Sequence, residues 1–503
     1  MSLPSLRELK IEDCNKVRLE NIVDLTSLTT LRIQGIRDLS CLPQEILKSL
    51  GALQILEISN CTELIYLWQK GSALKNIASL EHLKIKGCSE FVSLVVNEQG
   101  LPCSLEDMEL MNNGNLEKPS LKSLQIESCP KLLSFPETGS LSTLRRIKLK
   151  DCAALITLPD WTAMLNCRTT DYLLQDLEIE ECPSLTSFPR GILPSRLQRL
   201  KIRGCRDLQS LPEGIMQNDY STNISHLESL EIVDCPSLTC FPEGILPFSL
   251  KTLKISDCSK LEPLSEQLLH NNASLEYIGM WNYATLEYLP ECLHCLAHLT
   301  ELIISSCPAL ISFPVTALPP NLKTLEIDNC VNFKSMPERM QNLASLQYLT
   351  VCDCPSLVTF SQGGLPPQLL LLKVWDCIYL KEPMSEWNLN SLTSLEKLII
   401  AGTPDIASFP DENCLLPMSL TFVSIARLNN LESLSSALQN LTSLEELEVV
   451  DCPKLRHLPR EGLPAALGRL CIRNCKHLKR KCLKKTGAYS TRVAHIPNVE
   501  IEW

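Results

Sequence analysis

Short stretches of this chain alternate leucine or isoleucine with polar residues, and they do so again and again from end to end. Leu6-Arg7-Glu8-Leu9-Lys10-Ile11-Glu12-Asp13-Cys14 sets the pattern, and the same spacing returns at Leu80 to Cys88, Leu121 to Cys129, Leu174 to Cys182, Leu250 to Cys258, Leu322 to Cys330 and Leu444 to Cys452. Written out, it is L-x-x-L-x-L/I-x-x-C. Alternate residues of a strand point to opposite faces, so the L-x-I core predicts a short strand with its apolar residues turned inward and its x positions turned out. Twenty copies can be traced, with last positions at 14, 36, 61, 88, 113, 129, 152, 182, 205, 235, 258, 283, 307, 330, 354, 377, 403, 428, 452 and 475. Fifteen of them end in Cys, so the cysteine is part of the repeat.

One such unit cannot bury its own apolar row, whereas a stack of them buries a continuous core. The pattern therefore predicts an α/β repeat fold, a leucine-rich-repeat solenoid of horseshoe type with a parallel sheet on its concave side. The second half of each unit is regular too: Cys182-Pro183-Ser184-Leu185 leads through Phe188-Pro189 to Ile192-Leu193-Pro194, and Cys235-Pro236-Ser237-Leu238 through Phe241-Pro242 to Leu246-Pro247 repeats it. Proline fixes φ and removes a donor, so the convex side should be irregular or short 3-10 turns, with little helix. The expected organisation is one solenoid of about 20 repeats over residues 1–475 and a basic C-terminal cap over 476–503. Two steps of 30 residues mark insertions around Trp161 to Asp171 and Met216 to Ser225. The 16-residue step between Asn113 and Cys129 is too short for a full turn and predicts a local distortion.

Composition sharpens this picture. Leucine alone is about a fifth of the 503 residues and 45% are apolar, which excludes global disorder. No apolar run approaches the roughly 20 residues needed to span a bilayer, and Met1-Ser2-Leu3-Pro4 opens no secretory leader. The 25 cysteines would suggest a secreted disulfide scaffold, but one cysteine per strand, about 24 residues apart, is a ladder of small buried residues. A reducing compartment, cytoplasmic or nuclear, is the expectation.

Candidate chemistry is sparse. Cys292-Leu293-His294-Cys295-Leu296-Ala297-His298 has the density of a zinc site, yet it falls in a return segment where Leu293 and Leu296 should point inward. The eight histidines are scattered and form no nucleophile–base constellation, so no enzyme is expected. The chain contains no Gly-Lys dipeptide and hence no phosphate-binding G-x-x-x-x-G-K-[ST] loop; no cofactor is expected. Of the formal net charge of −11, residues 469 to 492 contribute +9 and the remainder −20. The basic set Arg469, Arg473, Lys476, Lys479, Arg480, Lys481, Lys484 and Lys485 could dock an acidic partner domain. It lacks the interleaved aromatics that base stacking requires, so nucleic acid is not the expected partner.

The outward positions can be read strand by strand. Arg146, Lys148 and Lys150 are followed by Asp176, Glu178 and Glu180 and then by Arg199, Lys201 and Arg203, rows that should neutralise one another across the roughly 4.8 Å between strands. Later strands change character: Tyr277, Trp281, Ile303, Tyr348, Leu371, Trp375, Ile399 and Phe422 place apolar and aromatic side chains outward, with Cys352 among them. Exposed aromatic clusters mark interaction surfaces, and these eight are the expected partner-binding residues.

The Cys-Pro and Phe-Pro returns, together with Leu470-Cys471-Ile472-Arg473-Asn474-Cys475, Arg480-Lys481-Cys482 and Ala494-His495-Ile496-Pro497-Asn498-Val499-Glu500-Ile501, resemble the leucine-rich-repeat region of plant intracellular immune receptors. These are the coiled-coil, nucleotide-binding, leucine-rich-repeat disease-resistance proteins. Ala488-Tyr489-Ser490 departs from that pattern, standing where an acidic residue and a Trp often occur. The resemblance implies a module that senses pathogen effectors, directly or through a guarded host protein, and that helps hold a receptor inactive by docking on its nucleotide-binding domain. That domain and the coiled coil are absent from this sequence, which suggests a C-terminal fragment, a truncated gene product or a receptor-derived decoy. The substrate-recruiting arm of a ubiquitin-ligase adaptor is the alternative, but the adaptor-binding domain it needs does not precede Leu6.

Overall fold

The structure is a computed structural model that describes residues 5–14, 25–69, 77, 79–96, 121–133, 143–158, 173–188, 193–194, 196–212, 215–216, 225–270, 272–314, 318–360, 363–402, 406–411, 413–482 and 489–502. The chain divides into two compact units, Met1–Glu262 and Pro263–Trp503. Each unit is a parallel β-solenoid, and each carries ten five-residue strands of the repeat sheet among its described residues.

Strand registry follows directly from the repeat. In the first unit Leu9 and Ile11 pair beside Leu31 and Ile33, and these beside Leu56 and Ile58. In the second, Leu325 and Ile327 lie between Leu302 and Ile304 on one side and Leu349 and Val351 on the other. Apart from the half-buried Leu9 of the first strand, the L-x-I residues are shut away from solvent, while the flanking and central x positions stay at least partly exposed in most strands, as in Ser123–Glu127 and Thr324–Asp328. A one-residue slip would put every leucine outward, so burial on one face fixes the register.

The residue just after each five-residue strand of the repeat sheet, up to Arg469–Arg473, takes a left-handed conformation: Asp13, Gly35, Asn60, Gly87 and Ser128 are among them in the first unit, Asn329, Asp353, Asp376, Gly402 and Asn474 in the second. Asp, Asn and Gly tolerate positive φ best, which accounts for their recurrence at the position before the cysteine. The chain then turns inward at the cysteine. Cys129 Sγ donates to the Glu127 carbonyl at 3.4 Å and Cys182 Sγ to the Glu180 carbonyl at 3.4 Å, each closing the end of its own strand. Three residues on, a buried leucine closes the turn, Leu132 N–H donating to the Cys129 carbonyl and Leu185 N–H to that of Cys182.

Return segments are short and mostly non-helical. The longest described helix is Lys476–Cys482, and the second unit uses 3-10 turns such as Glu291–Cys295, Met384–Trp387 and Ser436–Asn440. Its return side is filled by aromatics that the motif carries inward: Phe313 meets Phe333 edge-on at 5.7 Å, and Phe360 lies 4.8 Å from the buried Trp387.

Two irregularities of spacing have clear structural readings. Strand His82–Lys86 pairs directly with Ser123–Glu127. The copy ending at Asn113, and the distortion expected there, lie outside the described residues. Across the 30-residue steps, Arg146–Lys150 still pairs in register with Asp176–Glu180, and Arg199–Arg203 with Ser229–Val233. The pairing is thus in register on both sides of each step; of the inserted stretches only Met216 and Ser225 are among the described residues. At the C-terminus the segment after 475 adds a rung that the leucine pattern did not count: Asn498–Glu502 pairs in parallel with Arg469–Arg473. No helix among the described residues is long and apolar enough to cross a membrane.

Candidate interaction surface

In each unit the x positions of successive strands form three parallel columns on the outer sheet face, and their composition decides what each face can do.

In the first unit the charged columns satisfy themselves. Lys148 Nζ lies 3.0 Å from Glu178, Lys201 Nζ 2.6 Å from Glu180 and 3.2 Å from Glu178, and Arg146 3.2 Å from Asp176, with Arg199 closing on the same carboxylate from the other side. Glu180 is only 7% exposed. Burial opposes its ionisation, but the hydrogen bond from Lys201 and the charges of Lys201 and Lys148 outweigh that, holding its carboxyl below the usual glutamate range. The anionic row is thus clamped between two cationic rows and leaves little unmet charge for a ligand.

The second unit is different. None of the eight outward residues expected there to bind a partner is buried: Tyr348 is 43% exposed, and Tyr277, Trp281, Ile303, Leu371, Trp375, Ile399 and Phe422 are half-buried. Cys352, which shares the face, is covered at 4%. The polar rung Thr324–Asp328 divides the set in two. On the first side, Tyr277 and Trp281 converge over Gly279. A β-carbon at 279 would meet the Tyr277 ring at 2.9 Å and the Trp281 ring closer still, so a glycine within a strand here marks a close aromatic approach. Burial, with Glu301 and Glu326 nearby, pushes the Tyr277 hydroxyl pKa up.

On the other side, Tyr348 and Leu371 stand side by side in register, followed by Lys397 and Phe422. Leu371, Ile399 and Phe422 line one groove of about 710 Å³, together with Lys397, Thr421, Glu445, Glu446, Gly468, Arg469, Pro497 and Asn498. Beside it, Trp375 is held by two cations, Lys373 at 5.5 Å and the Arg427 guanidinium at 4.8 Å from its ring. The intervening outward positions on the next two strands are Ala401 and Ala426, whose small side chains leave Arg427 room to reach back to Trp375 and to pair with Asp376 at 2.5 Å. Neighbouring Asp353 is pushed above the usual aspartate range by burial and by the charges of Asp376 and Asp328.

The structure separates the basic set. Arg469 and Arg473 lie on the sheet face against carboxylates of adjoining strands: Arg469 pairs with Glu446 at 2.7 Å and Glu500 at 3.1 Å, and Arg473 with Glu502 at 3.3 Å and Glu448 at 3.6 Å. Lys476 is exposed on the helix Lys476–Cys482, whereas Lys481 donates to the Arg456 carbonyl at 3.0 Å. Arg492 and Lys481 stack on the buried Tyr489 ring at 4.6 and 5.5 Å. The side chains of Lys479 and Arg480, and the whole of Lys484 and Lys485, lie outside the described residues.

In the candidate zinc segment, Leu293 and Leu296 are buried, and Cys292 Sγ donates to the Glu266 carbonyl. Burial first, then Glu266, pushes the Cys292 thiol up to about 12. Among the described residues no group of three His, Cys, Asp or Glu side chains is placed to hold a metal ion. Sequence reading missed Lys397, Thr421, Glu445, Glu446, Gly468, Pro497 and Asn498 as groove residues. Lys397, Glu446 and Asn498 open their strands and the other four directly precede one, and the available signal was that both positions border the outer face.

No protein-family model matches the chain. A protein of Arabidopsis thaliana assigned by name to disease resistance is 35% identical over 122 residues, a stretch that covers 24% of this chain and 8% of that protein. Among solved structures, a leucine-rich-repeat protein of Leptospira interrogans is 19% identical, with a TM-score of 0.46, covering 99% of this chain and all of that one. YopM of Yersinia enterocolitica is 23% identical, with a TM-score of 0.40, covering 80% of this chain and 81% of its own.

Proposed function

We propose that this chain is a non-enzymatic protein-recognition module of an intracellular plant immune receptor. In this reading it senses a pathogen effector, or a host protein that the effector modifies, through the outer sheet face of the Pro263–Trp503 unit. The observation that carries the reading is the groove in which Leu371, Ile399 and Phe422 form an apolar floor beside Lys397, Glu445, Glu446 and Arg469. An apolar centre with a charged rim is how protein interfaces are built. The 122-residue similarity to the Arabidopsis thaliana protein supports the defence context. Contact with a receptor's own nucleotide-binding domain, through the exposed part of the basic C-terminal set, would serve autoinhibition.

Proximity labelling in infected and uninfected plant tissue tests this, comparing the natural chain with Tyr348→Ala and Phe422→Ala. Each truncation removes an outward ring and should weaken the bound partner by about tenfold, so its labelling falls while circular dichroism is unchanged. Labelling profiles identical in all three proteins would reject this face as the recognition surface.

A further inference from the structure

The groove is electrically polarised along its length. Its apolar floor lies on the strands Leu371–Trp375, Lys397–Ala401 and Phe422–Ala426. Lys397 stands in the wall at this end, and beside it Lys373 and Arg427 lie against Trp375, with Arg427 also paired to Asp376. Carboxylates dominate the other end. Four of them, Glu446, Glu448, Glu500 and Glu502, share only two guanidinium groups, those of Arg469 and Arg473. Glu445 adds a fifth, exposed in the wall and with no ion pair among the described residues. Gly468 lines the wall beside it, its N–H donating to the Glu445 carbonyl at 2.8 Å.

We propose that the groove takes a segment of a partner protein in which an apolar or aromatic anchor is followed, about 10–15 Å further on, by lysine or arginine. The spacing is two to three inter-strand steps of about 4.8 Å. This inference rests on the reading of the groove as a partner site and adds the partner's chemistry. The anchor covers Leu371, Ile399 and Phe422, displacing water from an apolar floor. The cationic residue lies over Glu445 and Glu446, supplying the charge that Arg469 and Arg473 leave unmet. The reverse orientation would set a cation against Lys397 and leave the carboxylates unpaired, so attraction and repulsion select the same direction. The groove crosses six strands, about 24 Å, which an extended segment of about seven residues spans.

The test is selection of a random peptide display library on the full chain, followed by binding of the enriched peptides to Phe422→Ala and Glu445→Lys. Both substitutions are at the surface, and circular dichroism verifies their folding. The expected pool carries an apolar anchor and a Lys or Arg on one fixed side of it. Its affinity should fall roughly tenfold in each variant, and more steeply in added salt for the natural chain than for Glu445→Lys. A pool that depends on Phe422 but is acidic, uncharged or indifferent to Glu445→Lys overturns the proposed polarity and leaves the groove standing as a partner site. Failure to enrich any peptide whose binding depends on Phe422 overturns both.

Discussion

Replacing Glu180 by glutamine should loosen the first unit locally, and only above acid pH. Glu180 is 7% exposed and lies 2.6 Å from Lys201, 3.7 Å from Lys150 and 4.0 Å from Lys148. A charged hydrogen bond of this kind contributes about 1.5–3 kcal/mol net. Lys201 is 31% exposed and keeps Glu178 at 3.2 Å, so the expected loss is nearer about 1–2 kcal/mol. In a repeat stack that loss stays with the altered strand and its neighbours. Hydrogen exchange at the amides of Asp151 and Glu181, which donate to the carbonyls of Glu180 and Arg203, should therefore accelerate roughly 5–30-fold at neutral pH. The native carboxyl titrates below the ordinary glutamate value. Its contribution is therefore complete above that value and is lost as pH falls through the lower, folded-state pKa. The difference between the two proteins should shrink over that acid window. Arg146→Gln is the control: that side chain is 62% exposed, and its removal should change exchange by less than about 0.5 kcal/mol. Equal effects of the two substitutions, or a Glu180→Gln effect that grows on acidification, would refute the view that the anionic row is a clamped structural element. Partner binding at the second unit should be untouched by either.

Other expectations follow from the same geometry. Burial pushes the thiol of Cys129 up to about 11 and that of Cys235 up to about 12. At neutral pH these thiols should alkylate on the order of a thousandfold more slowly than exposed Cys240 and Cys295; mass-spectrometric labelling that finds comparable rates would contradict the ladder. Gly402 has φ +60° and faces Asp376, so Gly402→Ala should cost at least about 1–2 kcal/mol; a neutral result in urea unfolding would show that the turn can rearrange. Leu325 is buried completely while Glu326 faces outward, so Leu325→Ala should lose about 2–5 kcal/mol and Glu326→Ala less than about 0.5 kcal/mol. Similar losses would mean the alternation had been assigned to the wrong faces.

The strand positions up to Arg469–Arg473, their inward residues, their parallel arrangement and the scarcity of helix were readable from the chain. The L-x-I spacing has only one way to bury its apolar row, and every repeat votes for the same register. The mutual neutralisation of Arg146–Lys150, Asp176–Glu180 and Arg199–Arg203 followed from register alone, because in-register neighbours are about 4.8 Å apart whatever else the chain does. The columns were equally legible, so Tyr348, Leu371 and Phe422 could be placed on one face before any coordinates. What the local pattern could not carry is whatever depends on contacts between units of unequal length. That His82–Lys86 meets Ser123–Glu127 directly, 41 residues on, is not written in the spacing of either motif. Asn498–Glu502 joins the sheet without a leucine motif, since Val499 and Ile501 match the register of Leu470 and Ile472. That added strand brings Glu500 and Glu502 onto Arg469 and Arg473 and turns part of a basic sequence run into an acid-rich groove end. Charge along a sequence adds up residue by residue, whereas charge on a surface is decided by which side chains the fold sets within a few ångströms of one another.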